Sequence, residues 1–191
     1  MIVVRDPQLA RADLARGQLP CPDCGTPLRP WGAARARVVR QADGTLRRLR
    51  PDRARCPGCR HTHVLLPVTS PPRSGYALDV VAAALVAHAR GSGHRPIAAA
   101  QRVPADTVRG WLRRARRGLE TIRRKAADQL SWADQDVFAR LAPQPTLLGE
   151  YLNTLLAAAD ATVRRLRLTV PGLWPVAAMI CSGCLLPDTG S

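Results

Sequence analysis

The amino-acid sequence predicts a small β unit followed by an all-α domain and a helical C-terminal tail. Two Cys-x-x-Cys pairs lie within the first 60 of the 191 residues and flank a segment that carries a hairpin signal. From Tyr76 onward, alanines and larger apolar residues recur at helical spacing. Hydrophobic residues make up 46% of the chain, so we expect folded domains rather than a disordered chain.

Residues 1–18 predict a strand and a short helix. Asp6 is the expected N-cap of the helix, Pro7 suits its first position, and Gly17 is its natural stop. The few apolar residues after Met1 do not make a signal-peptide core. We therefore expect a cytoplasmic protein without a membrane partner.

Residues 19–68 predict short strands joined by tight turns. Asp43-Gly44 is a hairpin signal between Val38-Val39 and Leu46–Leu49, and His63–Leu66 is a further strand candidate. A segment rich in Ser and Pro follows at residues 68–75 and indicates a linker.

The cysteines of this segment form two Cys-x-x-Cys pairs with 31 residues between them: Cys21, Cys24, Cys56 and Cys59. In a reducing compartment, cysteines at such spacing indicate metal ligands before disulfides. Each tight turn would place two thiolates on one side of a tetrahedral Zn²⁺, and the hairpin would bring the second pair opposite the first. We predict a zinc ribbon whose Zn²⁺ is structural, because four thiolates leave no position for an activated water. Two disulfides or a thiol redox pair are the alternatives.

Two histidines and two further cysteines could also bind a metal, but we do not expect them to be ligands. His61 and His63 are expected on one face of a strand, exposed or touching phosphate. Cys181 and Cys184 form a third pair, which cannot close a four-ligand site alone. We expect no function for this pair; a thiol couple or ligation of a shared metal are the alternatives.

Residues 76–126 predict a helix-turn-helix domain. Tyr76–Arg90 is the supporting helix, Pro96–Gln101 is the first helix of the motif, and Pro104–Lys125 is the second, which could break at Gly118. The apolar positions that match the buried pattern of such a motif are Ile97, Ala98, Val103, Val108, Trp111 and Leu112.

The outward face of the second helix is the predicted DNA contact, because such a helix inserts into the major groove. Arg109 and Arg113 are the candidates for guanine edges, and Arg114, Arg116 and Arg117 are expected to meet phosphates. The complete predicted contact set is Ala105, Asp106, Arg109, Gly110, Arg113, Arg114, Arg116 and Arg117. A helical hairpin with a charged, solvated face is the alternative.

These motifs together resemble the N-terminal half of bacterial insertion-sequence transposases. The matching segments are Cys-Pro-Asp-Cys-Gly, Arg-Cys-Pro-Gly-Cys-Arg-His-Thr-His-Val-Leu-Leu-Pro and Ile-Ala…Thr-Val-Arg-Gly-Trp-Leu-Arg-Arg. The chain also resembles a group of uncharacterised actinobacterial zinc-ribbon/helix-turn-helix proteins. Over about residues 19–125, the resemblance implies a zinc-ribbon fold, DNA binding and a mobile-element origin. The chain departs from the common pattern at Gln101-Arg102, where an apolar residue and Gly are usual.

Residues 127–191 predict a helical C-terminal region with helices at Ser131–Leu141 and Leu147–Leu168 and a short one at Trp174–Ile180. Its apolar stripe consists of Leu147, Leu148, Tyr151, Leu152, Leu155 and Leu156. We expect this stripe to pack against the rest of the chain. The alternative is a homodimer through these helices, which would let two helix-turn-helix units read a two-part site.

The net charge of +15 is concentrated in two stretches. Residues 29–60 carry +8, residues 90–125 carry +9, and the remainder carries −2. Such a charge disfavours a cationic partner, and its position on the ribbon and the helix-turn-helix favours double-stranded DNA. We therefore expect association with the nucleoid.

We expect no catalytic residues in this chain. A transposase would continue into a mixed-sheet domain with an Asp-Asp-Glu metal triad, whereas the 66 residues after Lys125 have mainly helical patterning. We expect a zinc-containing, non-enzymatic duplex DNA-binding protein, either a transcriptional regulator or an orphan DNA-recognition part of a transposase. The alternatives are the recognition subunit of a recombinase whose catalytic domain is on a separate chain, and a zinc-ribbon protein that acts on RNA or on another protein.

Overall fold

The computed structural model describes residues 1–186, without the side chains of residues 138–140. The last five residues of the predicted C-terminal region, 187–191, lie outside the described residues. The chain divides into two compact units, the first of which is Met1–Ala77, and the second begins at Leu78. Within residues 1–186, no helix combines the length and the apolar character needed to span a bilayer.

The first unit is a small β structure with one helix. A four-stranded sheet has the order β1-β6-β5-β2, in which β1 is parallel to β6 and the other pairs are antiparallel. Strands β3 and β4 form a separate antiparallel pair. The elements are β1 (Ile2–Val4), α1 (Pro7–Ala15), β2 (Arg29–Ala33), β3 (Arg37–Arg40), β4 (Leu46–Leu49), β5 (Asp52–Arg55) and β6 (Thr62–Pro67).

Local signals account for several boundaries in this unit. The Asp6 carboxylate accepts hydrogen bonds from the backbone N–H groups of Gln8 and Leu9, so the predicted N-cap is confirmed. The predicted hairpin between β3 and β4 is also confirmed. Gly44 has a φ of +85°, and the Asp43 carboxylate accepts a hydrogen bond from the N–H of Thr45 at 2.9 Å.

The core of the first unit includes cysteines as well as aliphatic residues. Leu28, Ala54 and Cys56 are fully buried, and Cys21 and Leu14 are nearly so. These two cysteines therefore belong to the apolar core of the unit. The other two cysteines of the Cys-x-x-Cys pairs are less buried, since Cys24 is exposed and Cys59 is partly exposed.

All regular elements that the structure describes after Ala77 are helical. The second unit contains α2 (Leu78–Ala89), α3 (His94–Gln101), α4 (Ala105–Ala133), a 3₁₀ helix (Gln135–Arg140), α5 (Leu147–Leu166) and α6 (Leu173–Ile180). Helix α4 packs mainly against α5 and also contacts α3. The expectation of a small β region followed by helices is thus confirmed at this level.

The sequence suggested a break in the second helix at Gly118 and a separate helix at Ser131–Leu141. Both expectations are wrong, because α4 continues through Gly118 to Ala133. Gly118 is buried on a continuous apolar stripe of α4 that includes Ala115 and Ile122. Packing of this stripe outweighs the low helix propensity of a single glycine. The helix instead runs for 29 residues, a length of about 43 Å, to Ala133.

The apolar stripe of α5 is buried in part. Leu148, Leu152 and Leu155 are buried, as expected for packing within the chain. The prediction that Leu147 packs against the rest of the chain is wrong, because this residue is the first of the helix and is 62% exposed.

Candidate functional site

The first candidate site is the cluster of four cysteines in the first unit. Cys21 and Cys24 lie in the turn before β2, and Cys56 and Cys59 lie in the turn between β5 and β6. The Sγ atoms of Cys21 and Cys59 are 3.6 Å apart, and those of Cys24 and Cys56 are 3.4 Å apart. All four sulfurs lie within 4.8 Å of one another, close enough to hold a metal ion. No disulfide links any of the chain's six cysteines, all of which are among the described residues.

The two cysteine turns share a backbone feature immediately after their second cysteine. Gly25 follows Cys24 with a φ of +75°, and Arg60 follows Cys59 with a φ of +63°. Both are in the left-handed region, a conformation that glycine adopts more readily than other residues. In the second turn, the N–H of Cys59 also donates a hydrogen bond to Cys56 Sγ at 3.4 Å.

The thiols of the cluster differ in their pKa values. Hydrogen bonds from the side chain and backbone of Thr26 lower the pKa of Cys24 to about 6. A backbone hydrogen bond from His61 lowers the pKa of Cys59, but burial and the neighbouring thiols outweigh it and raise that pKa to about 12. Thiols this close oppose one another's ionisation, so a cation is needed to stabilise four thiolates together.

Two histidines and an aspartate surround the cysteines. His61 Nδ1 lies 2.6 Å from the Asp23 carboxylate, which joins the two cysteine turns. His63 Nε2 lies 3.6 Å from Cys21 Sγ and 3.7 Å from the same carboxylate. Burial, followed by the positive N-terminal amine, lowers the pKa of His63. Potential ligand atoms of these residues also form compact groups with Cys21 or Cys59.

The expectation that His63 is exposed is wrong. His63 is only 4% exposed, because it shares the inward face of β6 with Leu65. Parallel pairing of β1 with β6 brings the amine of Met1 to 3.5 Å from His63 Nδ1. His61 is exposed but precedes the first residue of β6, so the two histidines do not share a strand face.

The third cysteine pair lies at the C-terminal end of α6. Cys181 is buried, and this burial raises its pKa to about 12. Cys184 Sγ contacts the carbonyl oxygen of Leu186 at 2.8 Å. Among the described residues, neither cysteine belongs to a group of three or more potential metal ligands. The raised pKa keeps the Cys181 thiol protonated, which makes it a poor nucleophile.

The second candidate site is the basic face of α4, which we define as Arg109, Arg113, Arg114, Arg116 and Arg117. The predicted buried positions of this region are confirmed, since Ile97, Ala98, Val103, Val108, Trp111 and Leu112 are all buried. On the opposite side, Asp106 and four of the five arginines are exposed, and Ala105, Gly110 and Arg114 are partly exposed. All eight residues of the predicted contact set therefore lie in the first half of one helix.

Two arginines of this face have partners in the structure. The Arg109 guanidinium forms an ion pair with Asp106 at 3.1 Å, one turn earlier on α4. The Arg116 guanidinium contacts His88 Nε2 at 3.3 Å, which anchors it to α2. Gly110 lies between these arginines in open surroundings, since a Cβ added there would meet no atom within 4 Å.

Sequence reasoning missed three residues that surround the cysteines. Asp23 bridges to His61, Thr26 contacts Cys24 Sγ at 3.4 Å, and Gly58 passes close to Thr26. It also missed an exposed aromatic group, Trp31, with the Arg55 guanidinium 4.6 Å from the centre of its ring. The sequence did carry a signal for Trp31, because this tryptophan lies among the scattered arginines of residues 29–60. Aromatic residues interleaved with arginines are typical of nucleic-acid contacts.

A family described as a domain of unknown function (DUF6431) matches residues 21–111. The matched region begins at the first cysteine of the cluster and ends at Trp111 on the buried side of α4. No curated protein and no solved structure matches the chain. The similarity thus covers the cysteine cluster and the start of the basic face without assigning an activity to either.

Proposed function

We propose that this chain is a zinc-containing, non-enzymatic protein that binds duplex DNA through a helix-turn-helix formed by α3 and α4. It would act as a transcriptional regulator or as an orphan DNA-recognition part of a transposase. The observation that carries the proposal is the two-sided character of α4. Its first half buries Val108, Trp111 and Leu112 and exposes a row of arginines on the other side.

The connection between α3 and α4 supports a helix-turn-helix. Three residues, 102–104, separate the helices, within the turn length of about three or four residues typical of the motif. Arg102 has a φ of +52°, and the N–H of Val103 donates to the carbonyl of Ala98 at 2.9 Å, which closes α3. Arg102 therefore adopts the left-handed conformation for which glycine is usual at this turn.

The composition of the exposed face supports contact with DNA. A guanidinium can donate two parallel hydrogen bonds to a guanine edge, and Arg109 and Arg113 stand one helical turn apart. Gly110 weakens an exposed helix position by about 0.5–1 kcal/mol relative to alanine. Close approach of the helix backbone to a ligand explains its presence better than local packing does, because nothing surrounds it.

The sulfur geometry supports zinc as the bound ion. A tetrahedral ion with bonds of about 2.3 Å to sulfur has edges of about 3.8 Å between sulfurs. Two of the sulfur–sulfur separations, 3.4 and 3.6 Å, are near this value. Zinc held by Cys21, Cys24, Cys56 and Cys59 would have a closed coordination shell and a structural role.

Selection from a random duplex pool at physiological salt tests the proposal. We expect enrichment of one sequence, and an affinity whose logarithm falls against the logarithm of salt concentration by about 0.9 per phosphate contacted. Arg109→Ala and Arg113→Ala should each lower affinity for the selected duplex by about tenfold or more and relax its sequence preference. Arg124→Ala is the control, because it removes one charge from an exposed position farther along α4.

Gly110→Ala separates binding from stability. Alanine should raise the melting temperature of the helical unit, and its methyl group should weaken binding of the selected duplex. Unchanged affinity in Gly110→Ala, together with equal losses in Arg109→Ala and Arg124→Ala, would contradict the assigned face. Duplex binding that does not respond to salt would contradict DNA as the partner.

A further inference from the structure

The first unit carries a basic cleft next to the cysteine cluster. The cavity has a volume of about 260 Å³ and is lined by Arg29, Trp31, Arg55, Cys56, Pro57 and Arg60. We call it the Trp31 cleft. Its lining residues include three arginines and no carboxylate. An anion is therefore the ligand that its charge favours.

An aromatic ring is exposed in this cleft. Trp31 is 51% exposed, although an indole ring gains more than most side chains from burial. It lies where β2 departs from regular pairing with β5, between Pro30 and Ala33, and Gly32 has a φ of +77° there. The Arg55 guanidinium lies over this ring, 4.6 Å from its centre, in a cation–π contact.

Arg60 occupies a backbone position that suits glycine. It follows the second cysteine turn as Gly25 follows the first, and both have a positive φ. Arginine in this conformation lowers the free energy of unfolding relative to glycine. A role of its side chain in binding would explain why arginine occupies the position. Arg60 is one of the residues that line the Trp31 cleft.

We propose that the Trp31 cleft binds one unpaired nucleotide of a DNA strand. Its phosphate would be held by Arg29 and Arg60, and its base would stack on the Trp31–Arg55 pair. Both the arginines and the aromatic ring are used in such a site, because unpaired bases stack on aromatic rings and on guanidinium planes. A duplex would use only the arginines, since its bases are stacked on one another. This inference rests on the proposed function in taking DNA as the partner.

The test uses the full chain with zinc and the selected duplex in three forms: blunt, with a 5′ overhang and with a 3′ overhang of about six thymidines. We expect one overhang to raise affinity by about tenfold over the blunt duplex, as one or two stacked bases would. It should also quench tryptophan fluorescence. Trp31→Ala should abolish both the gain and the quenching and leave affinity for the blunt duplex unchanged.

Two further variants separate the cleft from general effects of charge and of exposed tryptophan. Arg60→Gly retains the metal ligands and Trp31, and should reduce the gain from the overhang by about threefold without loss of folding. Trp132→Ala is the matched control, because Trp132 is 46% exposed and has the Arg165 guanidinium 4.7 Å from its ring centre. It should retain the full gain from the overhang.

The outcomes distinguish this inference from the proposed function. Loss of blunt-duplex binding in Arg109→Ala tests the helix-turn-helix, whereas the gain from the overhang and the binding of oligothymidylate alone test the cleft. An overhang that adds nothing, or a gain that persists in Trp31→Ala, would overturn the inference. So would thymidine monophosphate that binds as tightly as the overhang, because the ligand would then be a free nucleotide.

Discussion

The two cysteine turns of the first unit have the same spacing but different neighbours. Each reads Cys-Pro-x-Cys, with Asp23 at the third position of the first turn and Gly58 at the third position of the second. The residue after the first turn is Gly25, and the residue after the second is Arg60. The turns therefore share their cysteines and the proline after the first cysteine, and differ at the third position and at the residue that follows.

These differences have separate physical causes. Gly58 has no room for a side chain, because a Cβ there would lie 2.8 Å from Thr26 Oγ1. Asp23, at the equivalent position, is exposed and reaches across to His61. Arg60 has a positive φ and lines the Trp31 cleft. The spacing of the cysteines is thus common to both turns. Packing restricts the third position of the second turn to glycine, and the residue after that turn lines the cleft that we propose binds a nucleotide.

The largest effect should come from the feature that the two turns share. Cys21→Ser or Cys56→Ser should each remove the bound metal and unfold the sheet of the first unit, because zinc binding contributes on the order of 10 kcal/mol to small domains of this kind. Elemental analysis and circular dichroism of the full chain measure both effects. Cys184→Ser should retain metal and fold. Either turn variant that kept its metal and its melting profile would refute a structural ion.

Local signals in the sequence predicted much of this unit, and contacts between distant segments explain what they missed. Asp6 and Asp43-Gly44 act on residues within one turn of chain, so their effects follow from spacing alone. The burial of His63 depends on β1, which is about 60 residues away in sequence and has no sequence signal for its partner. Exposure of Trp31 likewise depends on an irregularity in the pairing of β2 with β5.

The second unit divides in the same way between local signals and packing. The apolar positions from Val108 to Leu112 predicted the buried side of α4 correctly. The break at Gly118 was wrong because propensity is a weak guide where a helix is packed along its length. The cysteine cluster was accessible to prediction since spacing alone brings two sulfurs together, whereas Thr26 and Gly58 meet only through the fold.

An intermediate effect on stability should come from the third position of each turn, where Gly58 is closely packed and Asp23 is exposed. Gly58→Ala should destabilise the zinc-bound first unit by about 1–3 kcal/mol, as overpacking does, since Thr26 is short and already contacts Cys24. Asp23→Ala, at the equivalent position of the first turn, loses an exposed pair with His61 and a longer contact of 3.7 Å with His63, and should cost less. Denaturant unfolding of both variants with zinc bound gives the comparison. Equal losses would show that the two third positions are packed alike.

The smallest effect should come from the residue after each turn, and its sign should be opposite in the two turns. Arg60→Gly relieves the cost of a positive φ but adds the chain entropy that glycine loses on folding, so a net stabilisation of about 0.5 kcal/mol is expected. Gly25→Ala should destabilise the unit by about 1 kcal/mol, although no atom lies within 4 Å of the added Cβ. Unfolding in denaturant with zinc bound measures both. If Arg60→Gly were instead destabilising, the arginine would contribute to the fold itself, and strain would no longer be a reason to assign its side chain to ligand binding.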